Sequence, residues 1–132
     1  MTSEFVHLHN HSDYSLLDGA QKVDQLVNTI DDLNMDAVAL TEHGNMFSVL
    51  PYYKQAKKAG IKPIIGCEIY VAVGSRFEKK TRSDGGWGNN HLSLLAQNFT
   101  GYKNLMKLVT SGYLEGFYYR PRIDMDLLRE YS

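Results

Sequence analysis

The 132-residue chain has one cysteine, three prolines and no apolar run near the roughly 18 residues that a membrane span needs. The single thiol, Cys67, excludes an intramolecular disulfide and suits a reducing compartment. The N-terminus has no basic segment followed by an apolar stretch, so no signal peptide is evident. We therefore expect a cytoplasmic location without membrane contact. The 43% apolar and 22% charged residues are typical of one globular domain.

Net charge is also nearly absent, at −1, which gives no overall attraction to nucleic acid or membranes. Its distribution is uneven. Residues 1–53 carry eight acidic side chains and one basic, whereas residues 54–82 carry eight basic and two acidic. This polarity suits a cation-binding pocket beside a basic surface, and two solvated faces of an ordinary domain explain it equally well.

Apolar periodicity predicts strands and helices that alternate along the chain. We expect strands over 5–10, 37–40, 61–73 and 91–97, and helices over 23–33, 46–59, 101–114 and 125–131, with Asn45 and Asp124 as caps. This order is typical of an α/β domain with a parallel sheet. A closed β/α barrel needs roughly 200–250 residues, so the chain is expected to form an open layer or about half a barrel.

Three of the five histidines, His7, His9 and His11, alternate in the first predicted strand. Alternate residues share one face of a strand about 6.5–7 Å apart, so two of these imidazoles can bind one metal ion. A polar strand face gives the same pattern, and for this motif alone that interpretation stays open.

Further candidate ligands follow at the ends of the other strands or in the first loop: Asp18, His43, Glu68 and His91. Imidazoles suit zinc, and a bridging carboxylate suits manganese or magnesium. The set indicates metal-assisted attack of water on a phosphate ester. For Asp18, capping of its own loop is an equal alternative. Asp13 and Glu42 are weaker candidates, for which we expect surface or supporting roles.

The segments around these residues resemble the first motifs of the PHP (polymerase and histidinol phosphatase) domain family, at residues 9–12, 41–44, Glu68 and His91. Longer stretches, 5–12, 15–20, 62–68 and 113–119, are similar to the PHP domains of bacterial replicative DNA polymerase III alpha subunits. The likeness covers essentially the whole chain.

The resemblance implies a distorted, TIM-like β/α barrel of seven strands, of which residues 1–132 form about the first half. It implies up to three divalent metal ions in a complete domain, zinc or manganese first, with iron or magnesium as alternatives. Transferred residue by residue, the metal ligands are His9, His11, Asp18, His43, Glu68 and His91. Among them Glu68, His9 and His11 take a catalytic role through a metal-activated water. The other PHP motifs and the polymerase domains are expected beyond Ser132.

The resemblance further implies DNA-directed DNA synthesis in a parent polymerase, with DNA and other replication subunits as partners. The PHP site adds a phosphoesterase or 3′ to 5′ exonuclease-type activity, and the fragment alone is expected to be inactive. Two alternatives stay open: a stand-alone phosphatase of the histidinol-phosphate type, and a non-catalytic structural module.

Several other side chains have two interpretations each. We expect His7 to be a core or supporting histidine and Cys67 a small buried apolar residue. The long loop predicted over 74–90 carries Arg76, Lys79, Lys80, Arg82 and Trp87. Its basic side chains suit contact with DNA or a solvated loop. Its tryptophan suits stacking on a base or packing within the loop. Nucleic acid or an interdomain contact suits the mixture of Tyr118, Tyr119, Arg120 and Arg122.

Overall fold

One long central strand organises the chain in the computed structural model, which describes residues 4–79 and 89–132. The elements in chain order are α1 (Val23–Asp32), β1 (Ala37–Leu40), α2 (Val49–Lys58), β2 (Lys62–Ala72), β3 (Asn89–Leu95), α3 (Phe99–Leu114), β4 (Arg122–Ile123) and α4 (Met125–Glu130). Within these described ranges, no helix has both the length and the apolar character of a bilayer crossing.

The strand β2 pairs with all three other strands in an open, mixed sheet. Strands β1 and β4 pair with it in parallel, beginning at Ala37 with Lys62 and at Tyr70 with Arg122. Strand β3 is antiparallel, so the predicted all-parallel sheet is wrong. The chain segment between β2 and β3 contains no predicted helix, and parallel neighbours usually need a helical crossover. The predicted α/β class and the open layer are confirmed.

Residues 5–10 do not form the predicted strand, although they run beside β1. Two backbone hydrogen bonds join them to β1, from Ala39 N to His7 O (2.8 Å) and from Thr41 N to Asn10 O (2.9 Å). Hydrogen bonds of side chains replace the other backbone hydrogen bonds that a paired strand would make here. The Asn10 amide donates to Ala39 O (2.9 Å), and Asn10 N donates to Thr41 Oγ1 (3.0 Å).

Helix α2 begins three residues later than predicted, because Asn45 caps a turn instead of the helix. Its Oδ1 accepts a hydrogen bond from Phe47 N (3.0 Å). Helix α3 begins two residues earlier than predicted, where the Asn98 side chain accepts from Gly101 N. The predicted Asp124 cap of α4 is confirmed, since its carboxylate accepts from Leu127 N (3.0 Å). The two-residue strand β4 was not predicted.

Two apolar clusters pack against different strands of the sheet. One joins α1, β1 and α2 through Leu26, Ile30, Val38 and Tyr52, and the other joins β2, β4, α3 and α4. The amphipathic pattern of α1 is confirmed up to Ile30. Leu33 lies past the helix end and is exposed, contrary to its predicted place on the buried face.

A close approach fixes the backbone just after β1, at Gly44. Its φ is +70°, and a Cβ there would lie 2.9 Å from the Tyr70 ring and 3.1 Å from Pro121 Cγ. Gly60 has a similar φ of +78° but no heavy atom within 4 Å of its would-be Cβ. The two glycines therefore separate the conformational cost of a side chain from the steric cost.

We expect Gly60→Ala to lower the free energy of unfolding by about 1–2 kcal/mol, the cost of a left-handed non-glycine residue. Gly44→Ala should lower it by about 1–3 kcal/mol more, because the Tyr70 ring and Pro121 must also move. Urea denaturation of both variants measures the difference. Equal losses would contradict the steric role of Gly44.

Candidate metal centre

The carboxylate of Glu68 lies at the centre of four histidines. Its Oε2 is 2.5 Å from His9 Nε2 and 2.9 Å from His11 Nε2. Its Oε1 is 2.8 Å from His91 Nδ1 and 3.8 Å from His43 Nε2. Each carboxylate oxygen therefore faces a different pair of imidazoles, as in a carboxylate that bridges two ions.

Asp18 joins the cluster from the first loop. Its Oδ2 lies 2.7 Å from His43 Nδ1 and 3.3 Å from His11 Nδ1. The ligand atoms make three groups, each with its atoms within 4.8 Å of one another: His9, His11 and Glu68; His11, Asp18 and His43; His43, Glu68 and His91. All six predicted ligands are therefore brought together, and three of them belong to two groups each.

Backbone pairing along β2 sets the positions of these side chains. Beyond β1, Gly44 N donates to Glu68 O (2.7 Å) and Glu68 N donates to Glu42 O (3.0 Å), so His43 lies beside Glu68. His91 lies on the other side of β2, opposite Tyr70 in the register of β3. Two hydrogen bonds to Ser15 O, from the amides of Asp18 and Gly19, shape the loop that carries Asp18.

The donor set fits divalent metal ions. His43 Nε2 is buried and has no hydrogen-bond partner among the described residues, yet it faces Glu68 Oε1 at 3.8 Å. Two metal bonds of about 2.0–2.2 Å span that separation. The Nε2 atoms of His9 and His11 lie 3.0 Å apart, which also suits two ligands of one ion. Nitrogen and carboxylate donors together suit zinc, manganese or iron.

Both central carboxylates are held in their charged form. The hydrogen bond from His43 lowers the pKa of Asp18 against the opposing effect of burial, and the charges of His11, His43 and His91 lower it further. Burial alone raises the pKa of Glu68, but the His9 hydrogen bond and the charges of His43, His9 and His11 together bring it below its usual value. Both groups are therefore available as anionic ligands at neutral pH.

Cys67 is not part of the centre, in agreement with its predicted role. It is fully buried, and burial raises the pKa of its thiol to about 12. Thiolate is the form that binds metals, so this side chain stays an apolar packing residue.

Tyr70 is a contributor that the sequence interpretation missed. Its ring stacks on His43 at 4.4 Å between centroids and meets His91 edge-on at 5.0 Å. It thereby fixes the orientation of both imidazoles. The available signal was its spacing, because residue 70 shares a strand face with Glu68.

Glu42 supports the centre from beneath, as predicted. Its carboxylate is 1% exposed and accepts hydrogen bonds from the hydroxyls of Ser12, Ser15 and Ser48 and from Ser12 N. Ser15 Oγ in turn accepts from His43 N (2.9 Å) and lies 3.4 Å from His11 Nδ1. No motif or spacing in the sequence indicates the roles of Ser15 and Ser48.

Other predicted residues lie away from the cluster. His7 is exposed and edge-on to Phe5, so its predicted place in the core is wrong; Asp13 is exposed, as expected. Arg76 forms ion pairs with Glu115 (2.6 Å) and Asp124 (3.0 Å), which occupy its guanidinium within the fold. Lys79 is exposed, and Lys80, Arg82 and Trp87 lie outside the described residues. DNA contact through these five side chains stays a prediction.

Comparison with known proteins agrees with the geometry. The PHP domain family model matches residues 7–132. The chain belongs to the PHP domain family. Similar proteins include the DNA polymerase III subunit alpha of Borreliella burgdorferi, 58% identical over 98% of this chain, and that of Aquifex aeolicus, 50% identical over all of it. This PHP chain spans 11% and 12% of those relatives' lengths.

A solved structure shares the fold at low identity. It is a two-domain protein from Bacteroides vulgatus that contains a predicted PHP-like metal-dependent phosphoesterase. The TM-score is 0.51 at 22% identity, over 80% of this chain and 32% of that one. The open sheet is therefore part of a PHP fold, as the resemblance implied.

We expect Glu42→Gln to lower the free energy of unfolding by about 2 kcal/mol or more. Its amide nitrogen cannot accept the serine hydrogen bonds, and each bond to a buried charged group contributes about 1.5–3 kcal/mol. The exposed Glu130 on α4 provides the control, because Glu130→Gln should change stability by less than about 0.5 kcal/mol. Chemical denaturation measures both, and an unaffected Glu42→Gln protein would contradict the supporting role.

Proposed function

We propose that this PHP domain binds divalent metal ions through His9, His11, Asp18, His43, Glu68 and His91 and hydrolyses a phosphate ester. The observation that carries the proposal is Glu68, whose two oxygens face separate imidazole pairs. Zinc or manganese suits these donors best, with iron or magnesium as alternatives.

Bound ions of this kind supply a water of lowered pKa and positive charge for phosphate oxygens. The chain's own residues prepare the site for that chemistry. Asp18 and Glu68 provide negative charge, Tyr70 orients His43 and His91, and Glu42 holds the loop through Ser15. His9 and His91 are 53% and 47% exposed at their side chains, so a substrate can approach from two sides.

Similarity to DNA polymerase III alpha subunits over the whole chain supports a nucleotide substrate. We infer that the chain acts within a cytoplasmic polymerase that synthesises DNA with other replication subunits. In that setting the PHP site would remove a 3′ terminal nucleotide. The 132-residue chain spans only 11–12% of those relatives' lengths, and we expect that alone it neither polymerises nor hydrolyses efficiently.

Metal content tests the ligand assignment. The purified chain, without an affinity tag, should retain zinc, manganese or iron, and the His9→Ala, His11→Ala double variant should lose at least the ion between these residues and Glu68. His7→Ala is the matched control, because His7 is exposed on the same segment and lies outside the three ligand groups. Elemental analysis after identical purification measures all three proteins.

Equal metal content in all three proteins would contradict the assignment.

A longer protein containing this domain then tests the reaction. We expect metal-dependent release of a nucleotide from the 3′ end of DNA, lost in Glu68→Gln. Release of phosphate from histidinol phosphate instead would favour the small-molecule phosphatase, and neither activity with retained metal would favour a structural module.

A further inference from the structure

A cleft of about 420 Å³ opens directly beside the candidate metal centre. Asp18, His43 and Tyr70 form the part of its lining that belongs to the centre. The rest of the lining includes Phe47 from the turn before α2, Tyr113 from the last turn of α3 and Phe117 from the segment after α3. The cleft is therefore continuous with the cluster of ligand atoms.

The lining is aromatic and partly open to solvent. The Phe47 and Tyr113 rings lie 6.4 Å apart, and the Tyr113 and Phe117 rings lie 6.2 Å apart at an angle of 27°. Phe47 is 65% exposed and Phe117 50% exposed. Exposed rings of this kind offer flat apolar faces on which a nucleobase can stack.

One basic side chain lines the same cleft. The Arg120 guanidinium lies 5.8 Å from the centre of the Tyr70 ring, on an exposed side chain. Among the described residues it has no carboxylate within ion-pair distance, unlike Arg76 and Arg129. A cation that pairs with no carboxylate in the described part of the chain and lies beside aromatic faces complements a ligand that is both planar and anionic.

Unusual backbone conformations occur at the same place. Three non-glycine residues in the described ranges have positive φ: Leu17 (66°), Asn34 (55°) and Tyr119 (58°). Asparagine tolerates this conformation, but leucine and tyrosine seldom adopt it. Leu17 and Tyr119 both line the cleft. Such backbone outliers concentrate at ligand-binding sites, where the surroundings maintain them.

We propose that this cleft binds the nucleobase and sugar of a nucleotide whose phosphate lies at the metal centre. The inference rests on the proposed phosphoesterase function and adds its substrate-selecting part. Phe47 and Phe117 contact the base, and Arg120 provides positive charge for the phosphate. A phosphate ester without a planar group would bind only through the metal centre.

The test compares two ligands that share a phosphate. Deoxyadenosine 5′-monophosphate and 2-deoxyribose 5-phosphate are titrated by calorimetry into the zinc-loaded chain and into the Phe47→Ala, Phe117→Ala double variant. Stacking predicts that the wild-type chain binds the nucleotide about 5- to 150-fold more tightly. The double variant should bind both ligands alike, with its affinity for the sugar phosphate unchanged. Both replaced rings are exposed, so the variant should fold, which circular dichroism checks.

Phe99→Ala is the matched control, because Phe99 is equally aromatic and 71% exposed but lines a different cavity. It should keep the wild-type preference for the nucleotide. Equal affinity of the wild-type chain for both ligands would overturn the proposal, as would a preference that the double variant retains. Such a result would be expected if another part of a longer protein covers the cleft.

Removal of the metal separates this proposal from the proposed function. Nucleotide binding that depends on Phe47 and Phe117 but persists after chelation would support the cleft and contradict a phosphate site at the metal centre. Sugar-phosphate binding that is lost on chelation, without any preference for the nucleotide, would support a phosphate site at the metal centre and contradict the proposed cleft. If neither ligand binds to the zinc-loaded chain, both proposals are overturned.

Discussion

The negative charge of Glu68 is the constraint on which the rest of the site depends. It lies in β2, which pairs with the other three strands of the described residues, so its position is set by hydrogen bonds on both sides of β2. The segments that carry His9 and His11, His43, and His91 meet at this side chain. Three of these imidazoles, those of His9, His11 and His43, compensate for the burial of the carboxylate, which by itself would raise its pKa.

A second buried carboxylate, Glu42, serves a different purpose although it lies next to His43 in sequence. Successive residues of an extended chain point to opposite sides, so Glu42 faces the serines beneath the site while His43 faces Glu68. Four hydrogen-bond donors satisfy it, which is what a buried anion without a metal requires. The ligand-bearing loop is thereby attached to the sheet through hydroxyl groups.

The six side chains that cluster here are those that the resemblance to the PHP family implies, and most element positions follow from apolar periodicity, which is a local property of the chain. Prediction from the sequence failed where a competing contact decided the outcome. Side-chain hydrogen bonds from Asn10 replace a strand ladder, and Asn45 caps a turn, so α2 begins later. The roles of Tyr70 and Ser15 depend on strand register and loop closure, which no short segment encodes.

The direction of β3 has a consequence for how this domain can vary. Ala72 and Asn89 are partners in the antiparallel register, so the connection between them begins and ends at neighbouring positions. Its length can therefore change at little entropic cost, since loop closure depends only weakly on the number of residues. His91 and Glu68 would keep their register whatever is inserted there. The connection is thus a place where evolution or engineering can add a recognition segment beside the metal centre without rebuilding it.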